Sequence, residues 1–357
     1  METVASSQNR APAQARAIGG LAFDRWVTLA SLWYVGGVFL DGWAHNHGMV
    51  DQTFFTPWHA VLYSGFAVTS AVILGAVILN LRAGYPWSEA IPRGYPLSLV
   101  GTLIFAVGGV GDLIWHTLFG IEMDIAALLS PTHLLLALGL ALIITGPLRA
   151  AWWRYERGIC DWAMALPAVL SLTFLLSLFT FFTQYADPIV HSYADKQTTG
   201  EGQALGIVSI LLQSATLMSI LLVAVKRWRL PFGAFALMFA VNDASKAVLA
   251  PASPVVAVMI IGGLTGLVVD LLYRRWQPAI ERPTALRLFA FGVPVVIYTI
   301  YFAGLFVANG IVWTIHLWAG SIVLAGIVGW LLSYLALPPR ENPVRPSPAA
   351  IPTIKVE

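Results

Sequence analysis

Asp41, His45 and His59 form the first of two groups in which one carboxylate and two imidazoles recur in the same order. Asp112, His116 and His133 form the second. The first group reads Asp41-Gly-Trp-Ala-His45, then Thr56-Pro57-Trp58-His59. The second reads Asp112-Leu-Ile-Trp-His116, then Ser130-Pro131-Thr132-His133. An Asp and a His four residues apart on a helix share one face, one turn from each other, and can chelate one ion. The later histidine arrives by another device. Thr56 and Ser130 suit an N-cap and Pro57 and Pro131 the first helical position, which puts His59 and His133 in a first helical turn. The partial positive charge of a helix N-terminus disfavours imidazolium and favours the neutral, metal-binding ring. Each Asp-His-His set can therefore converge on one cation. Its chemistry suits copper, zinc, iron or nickel, and spacing alone leaves the metal open.

Both groups lie at the edges of strongly apolar segments, where an Asp without a partner is costly. His47, His191 and His316 are evenly balanced between ligands and interfacial hydrogen-bonding residues, and Asp187 repeats the Asp/His spacing with His191. Asp51, Glu122, Asp124, Asp195 and Glu201 read as solvated loop acids, with a second role open to Glu122 as acceptor of an imidazole N–H. Trp43, Trp58 and Trp115 fall inside the motifs and are expected to pack beside the ligands, while the other tryptophans suit an interfacial belt. Gly108, Gly109 and Gly111 fit close helix packing, since no strand precedes them to make a phosphate loop.

The elements that must position these residues are membrane helices. The chain is 58% hydrophobic and 11% charged, against about 25% charged in a soluble domain. Ten apolar stretches are long enough to span a bilayer: about 24–46, 56–81, 95–117, 131–150, 163–190, 204–226, 231–249, 254–274, 286–308 and 310–336. The expected fold is an all-α integral membrane protein of about ten transmembrane helices arranged as repeated helical hairpins. Residues 1–22 form a cytoplasmic tail, 23–150 a four-helix metal-site region, 151–337 six further spans, and 338–357 a disordered Pro-rich cytoplasmic tail. The first apolar stretch reads as a retained span rather than a cleaved signal. Of the 20 Lys and Arg residues, all but Lys196 and Lys246 fall on one side of this ten-span arrangement. By the positive-inside rule both termini are cytoplasmic, and all seven histidines lie towards the extracytoplasmic face. A bacterial or archaeal plasma membrane is the expected setting. The single cysteine, Cys160, excludes an intrachain disulfide and a Cys-based metal site. The Arg residues flank spans instead of forming a basic face, so nucleic acid is not an expected partner.

At these motifs the chain resembles the C subunit of the copper membrane monooxygenases, the particulate methane and ammonia monooxygenase family. Asp41 through His59, including Asp51-Gln-Thr-Phe-Phe-Thr-Pro-Trp-His59, is similar to that subunit's first metal motif. Trp115-His116-Thr117, Glu122 and Pro131-Thr132-His133 are similar to its second, where the leading ligand is an Asn and this chain has Asp112. The likeness spans about 100 of the 357 residues, the first four helices. It implies copper at both groups, oxygenase chemistry on a small apolar substrate, and a partner subunit or quinol as electron donor. Two other classes remain open. One is a zinc-dependent intramembrane hydrolase with Ser64 or Ser130 as helper; the other is a non-enzymatic protein that binds or senses metal or haem. A transport path would need polar groups through the bilayer, and the cytoplasmic halves of the helices carry almost none.

Overall fold

The computed structural model describes residues 17–49, 54–122, 124–154, 161–251 and 253–337. The expectations placed on residues 1–16, Asp51, Cys160 and the tail 338–357 lie outside these residues, as does the side chain of Asp124. Each of the ten apolar stretches holds a long helix. These are α1 (Gly20–Asn46), α2 (Pro57–Arg82), α3 (Pro96–Phe119), α4 (Pro131–Arg154), α5 (Trp162–Phe182), α6 (Gly200–Arg227), α7 (Ala234–Leu249), α8 (Val255–Trp276), α9 (Pro283–Ala308) and α10 (Ile315–Ala336). Eight of them, α2–α6 and α8–α10, are long and apolar enough to cross a membrane. Among the described residues the chain is all-α, with one isolated bridge between Ala279 and Arg282.

Consecutive helices pack as pairs: α1 along α2, α3 along α4, α7 along α8 and α9 along α10. α5 and α6 meet only lightly, since α5 lies against α7 and α6 against α10. Reciprocal glycines hold the first two pairs together. A Cβ on Gly37 of α1 would lie 2.7 Å from the Leu62 backbone, and one on Gly65 of α2 would lie 2.6 Å from the Tyr34 backbone. Across α3 and α4, a Cβ on Gly101 would lie 2.7 Å from the Gly139 carbonyl oxygen, and one on Gly139 would lie 2.8 Å from the Phe105 backbone. Small residues at such crossings let the backbones meet. At the end of this bundle remote from the histidines, the buried Asp24 carboxylate pairs with Arg154 at 2.7 Å and accepts the Tyr95 hydroxyl at 2.8 Å.

Three segments depart from the expected boundaries. The fourth stretch runs on to Arg154 but breaks at Thr145, because Pro147 has no N–H for the Ile143 carbonyl. The carbonyls around the break are taken up by side chains: Arg149 donates to Leu142 O (2.8 Å), Ser98 reaches Ile143 O (3.3 Å) and Ser171 donates to Ile144 O (2.6 Å). A lipid surround leaves no water to do this. The fifth stretch does not continue to residue 190. Its helix ends at Phe182, and after a short 3-10 turn Asp187 caps Ile189 N–H at 2.8 Å, in the turn led by Pro188. The last two helices are separated by more than the Asn309-Gly310 turn: α10 starts at Ile315, and Val312 and Trp313 are tied to the 183–199 connection through Ala194 O and Gln197 O.

The same connection is pinned by a buried ion pair, Lys246 Nζ to Asp187 Oδ2 at 3.0 Å, with Asp187 fully buried. Removing one partner of such a pair leaves a buried charge alone. Lys246→Met is therefore expected to cost about 3–5 kcal/mol. The check is thermal unfolding in detergent, where an unchanged melting temperature would show the pair to be dispensable.

Candidate metal centre

The last two turns of α1 carry Asp41 and His45, and the first turn of α2 carries His59. Thr56 caps α2 by accepting His59 N–H at 3.1 Å, and Pro57 begins the helix, as its residue types lead one to expect. His45 Nε2 lies 3.9 Å from Asp41 Oδ2, and His59 Nε2 lies 3.5 Å from Asp41 Oδ1. The second group repeats this on α3 and α4. Ser130 caps α4, its Oγ 3.4 Å from His133 N and 2.8 Å from His133 Nδ1. Both imidazoles converge on one oxygen, Asp112 Oδ1: His116 Nε2 at 3.5 Å and His133 Nε2 at 3.3 Å. Thr132 donates its hydroxyl to the same atom at 2.8 Å. In each group the three residues offer ligand atoms within 4.8 Å of one another.

Hydrogen bonds fix which nitrogen faces the carboxylate. His59 Nδ1 lies 2.6 Å from Phe54 O, and His116 Nδ1 lies 3.2 Å from Gly120 O. A carbonyl only accepts, so both Nδ1 atoms carry a proton and a neutral ring presents its Nε2 lone pair to the Asp. A lone pair facing a carboxylate is repulsive unless positive charge lies between them. At Asp112 the Nε2 of His133 comes to the same oxygen as that of His116, its Nδ1 resting on the Ser130 hydroxyl, and a single cation could satisfy all three groups. Backing a ligand histidine through its other nitrogen is how metal sites orient imidazole.

The two centres are neighbours at one end of the bundle. The Phe54 ring lies 5.0 Å from that of His59 and 6.1 Å from that of His116. The centres differ in depth. The Asp112 side chain is 2% exposed, whereas that of Asp41 is 15% exposed. Both open onto one cavity of about 790 Å³, which Asp41, His45 and His133 line together with Phe105, Leu136 and Phe181. A larger cavity, about 1030 Å³, lies at the opposite end among Trp26, Glu89, Arg93 and Arg154, and no histidine lines it.

The remaining candidates fall elsewhere. His47 stacks on Trp43 with its Nδ1 2.8 Å from Trp43 O. Asp187 serves the Lys246 pair. His191 is exposed on the wall of the shared cavity and belongs to neither triad. His316 is exposed at the start of α10. Trp43 packs edge-on to Trp58, and Trp115 packs on Phe119. Gly108 and Gly109 sit against Leu136 and the Tyr63 ring, close contacts of the kind expected of them. Glu122 is not a solvated acid: its side chain is 14% exposed and its Oε2 lies 3.0 Å from His116 Nδ1. Glu201 is exposed, and Asp195 accepts a hydrogen bond from Asn309 Nδ2 at 3.1 Å. Phe54 was invisible to motif reading, because a backbone carbonyl in a loop leaves no pattern in residue types.

Fold and site together define a helical membrane protein carrying two adjacent Asp-His-His groups able to hold metal ions. No protein family, no curated protein and no solved structure matches the chain.

Proposed function

We propose that this chain is a ten-span membrane protein of repeated helical hairpins that binds two copper ions, one at Asp41/His45/His59 and one at Asp112/His116/His133. Its termini are cytoplasmic and its metal centres face the extracytoplasmic side. It acts as a monooxygenase-like oxidoreductase on a small apolar molecule, with electrons from a partner subunit or a quinol, and is distantly related to the C subunit of the copper membrane monooxygenases. One observation carries the metal reading: two imidazoles aim Nε2 at one buried carboxylate oxygen, and His116 is backed through Nδ1 by a carbonyl that only accepts, so a cation among the three groups would relieve the meeting of its lone pair with the carboxylate.

The shared cavity favours an apolar substrate. Leu62, Phe105, Leu136, Leu140 and Phe181 supply its walls, and ligands of both centres reach it. Copper held there would supply the redox chemistry. The chain's own residues orient the imidazoles, keep bulk water from Asp112 and hold the substrate against apolar side chains. Haem fits less well, because a carboxylate oxygen 3.3–3.5 Å from each Nε2 fills the space a porphyrin plane would need. The proposed hydrolytic helpers have other tasks: Ser130 caps α4, and Ser64 donates to Val61 O at 2.8 Å.

The test is elemental analysis of protein purified from native-like membranes. Two equivalents of copper are expected, with His45→Ala and His116→Ala each losing one. Full retention in both variants would refute the centres, and zinc in place of copper would turn the assignment towards hydrolysis.

A further inference from the structure

The two centres are not electrostatically alike, and the difference comes from a residue outside both triads. α3 ends at Gly120, whose φ of 82° is a conformation that favours glycine. That turn folds the chain back over His116: Gly120 N–H bonds to His116 O at 3.0 Å, Gly120 O sits 3.2 Å from His116 Nδ1, and Glu122 comes down on the same nitrogen. Both Glu122 oxygens are shut off from solvent. Apart from the imidazole they have no hydrogen-bonding partner among the described residues. An enclosed carboxylate with so little support is costly in an apolar protein unless positive charge stands nearby.

Around His116 and His133 stand two enclosed carboxylates, Asp112 and Glu122, and among the described residues their ion-pair partners are imidazoles alone. With neutral rings this centre carries two negative charges. Around His45 and His59, among the described residues, stands only Asp41, more exposed, and the nitrogen of His59 remote from it rests on the neutral carbonyl of Phe54. A carboxylate behind an imidazole also makes that ring a stronger donor than a carbonyl does. We infer that Glu122 supplies the second negative charge of the Asp112 centre, making it the tighter of the two and the one that selects a divalent over a univalent ion. This inference rests on the metal-binding reading above. Glu122 is a positioning and charge-supplying residue; it touches the imidazole, not the ion.

The experiment uses the full chain in lipid nanodiscs, stripped with a chelator and titrated with Zn²⁺ and, separately, Cu⁺ against a competing chromophoric chelator. The wild type is expected to show two Zn²⁺ affinities. Glu122→Gln should weaken the tighter one by about 10–100-fold, leave the weaker one in place, and weaken Cu⁺ binding less. Glu122→Asp, which keeps the charge, should recover most of the preference for Zn²⁺. In a His116→Ala background, where the deeper ion is already lost, Glu122→Gln should leave the affinity of the remaining Asp41 centre unchanged, whereas a general structural role would weaken it. Affinities within twofold of the wild type, or equal weakening at both centres, would overturn the inference while leaving the metal sites standing. A wild type that binds neither ion would overturn the metal reading itself.

Discussion

Asp112→Asn is expected to weaken metal binding at the deeper centre while leaving the metal-free fold as stable as the wild type or more so. The substitution keeps the shape and the acceptor for Thr132, whose hydroxyl lies 2.8 Å from Oδ1. It removes a carboxylate that is 2% exposed and that costs free energy when no cation accompanies it. An Asn amide can also donate to the Nε2 lone pair of His116 or His133, which the carboxylate cannot do. Metal-free protein should therefore lose nothing, whereas the stabilisation metal confers should fall at this centre, because an amide oxygen is a neutral and weaker ligand. With metal at a thousand times its dissociation constant that stabilisation is about 4 kcal/mol. The measurement is the shift in apparent melting temperature on adding metal, together with stoichiometry. The wild type should shift and bind two ions, and Asp112→Asn should keep the shallower ion and hold the deeper one more weakly, with a smaller shift. If the metal-free variant instead melts far below the wild type, Asp112 is a structural partner of the imidazoles, and the case for a cation between them fails.

Gly65→Ala should damage the other centre from a distance. Its added Cβ would sit 2.6 Å from Tyr34 Cα and 2.9 Å from Tyr34 N, and backbone cannot rotate away as a side chain can. Restoring ordinary contact requires α1 and α2 to separate by about 1 Å, at a cost of about 1–3 kcal/mol in packing. Asp41 and His45 ride on one of these helices and His59 on the other. A ligand set displaced by about 1 Å loses roughly a hundredfold in function where geometry is demanding. The expected result is loss of one metal equivalent, assigned to Asp41/His45/His59, with the Asp112 centre intact. Gly75→Ala in the same helix has nothing within 4 Å of the new Cβ and serves as the control. Equal metal content in both variants would show that the α1–α2 crossing does not set the centre.

The metal-ligating candidates were legible in the chain because their geometry is local. Asp41 with His45, and Asp112 with His116, share a helix face by spacing alone, and Thr56-Pro57 and Ser130-Pro131 announce the helix starts that carry His59 and His133. Hydrophobic runs likewise disclosed the long helices, eight of which are long and apolar enough to cross a membrane, since burial in lipid demands length and apolarity that composition records directly. Helix ends were harder. The stop at Phe182 depends on Asp187 capping its own turn and pairing with Lys246, a partner distant in sequence.

What the residue order determined is thus a set of amphipathic corners: which side chains can chelate, and at which helix terminus each one sits. What only tertiary structure decided is their convergence. Two reciprocal glycine crossings bring the termini within reach, the turn at Gly120 swings Glu122 behind His116, and Phe54 presses its ring between the two centres. Those contacts join residues on different helices and loops, where no periodic pattern links one partner to the other, so packing alone settles them.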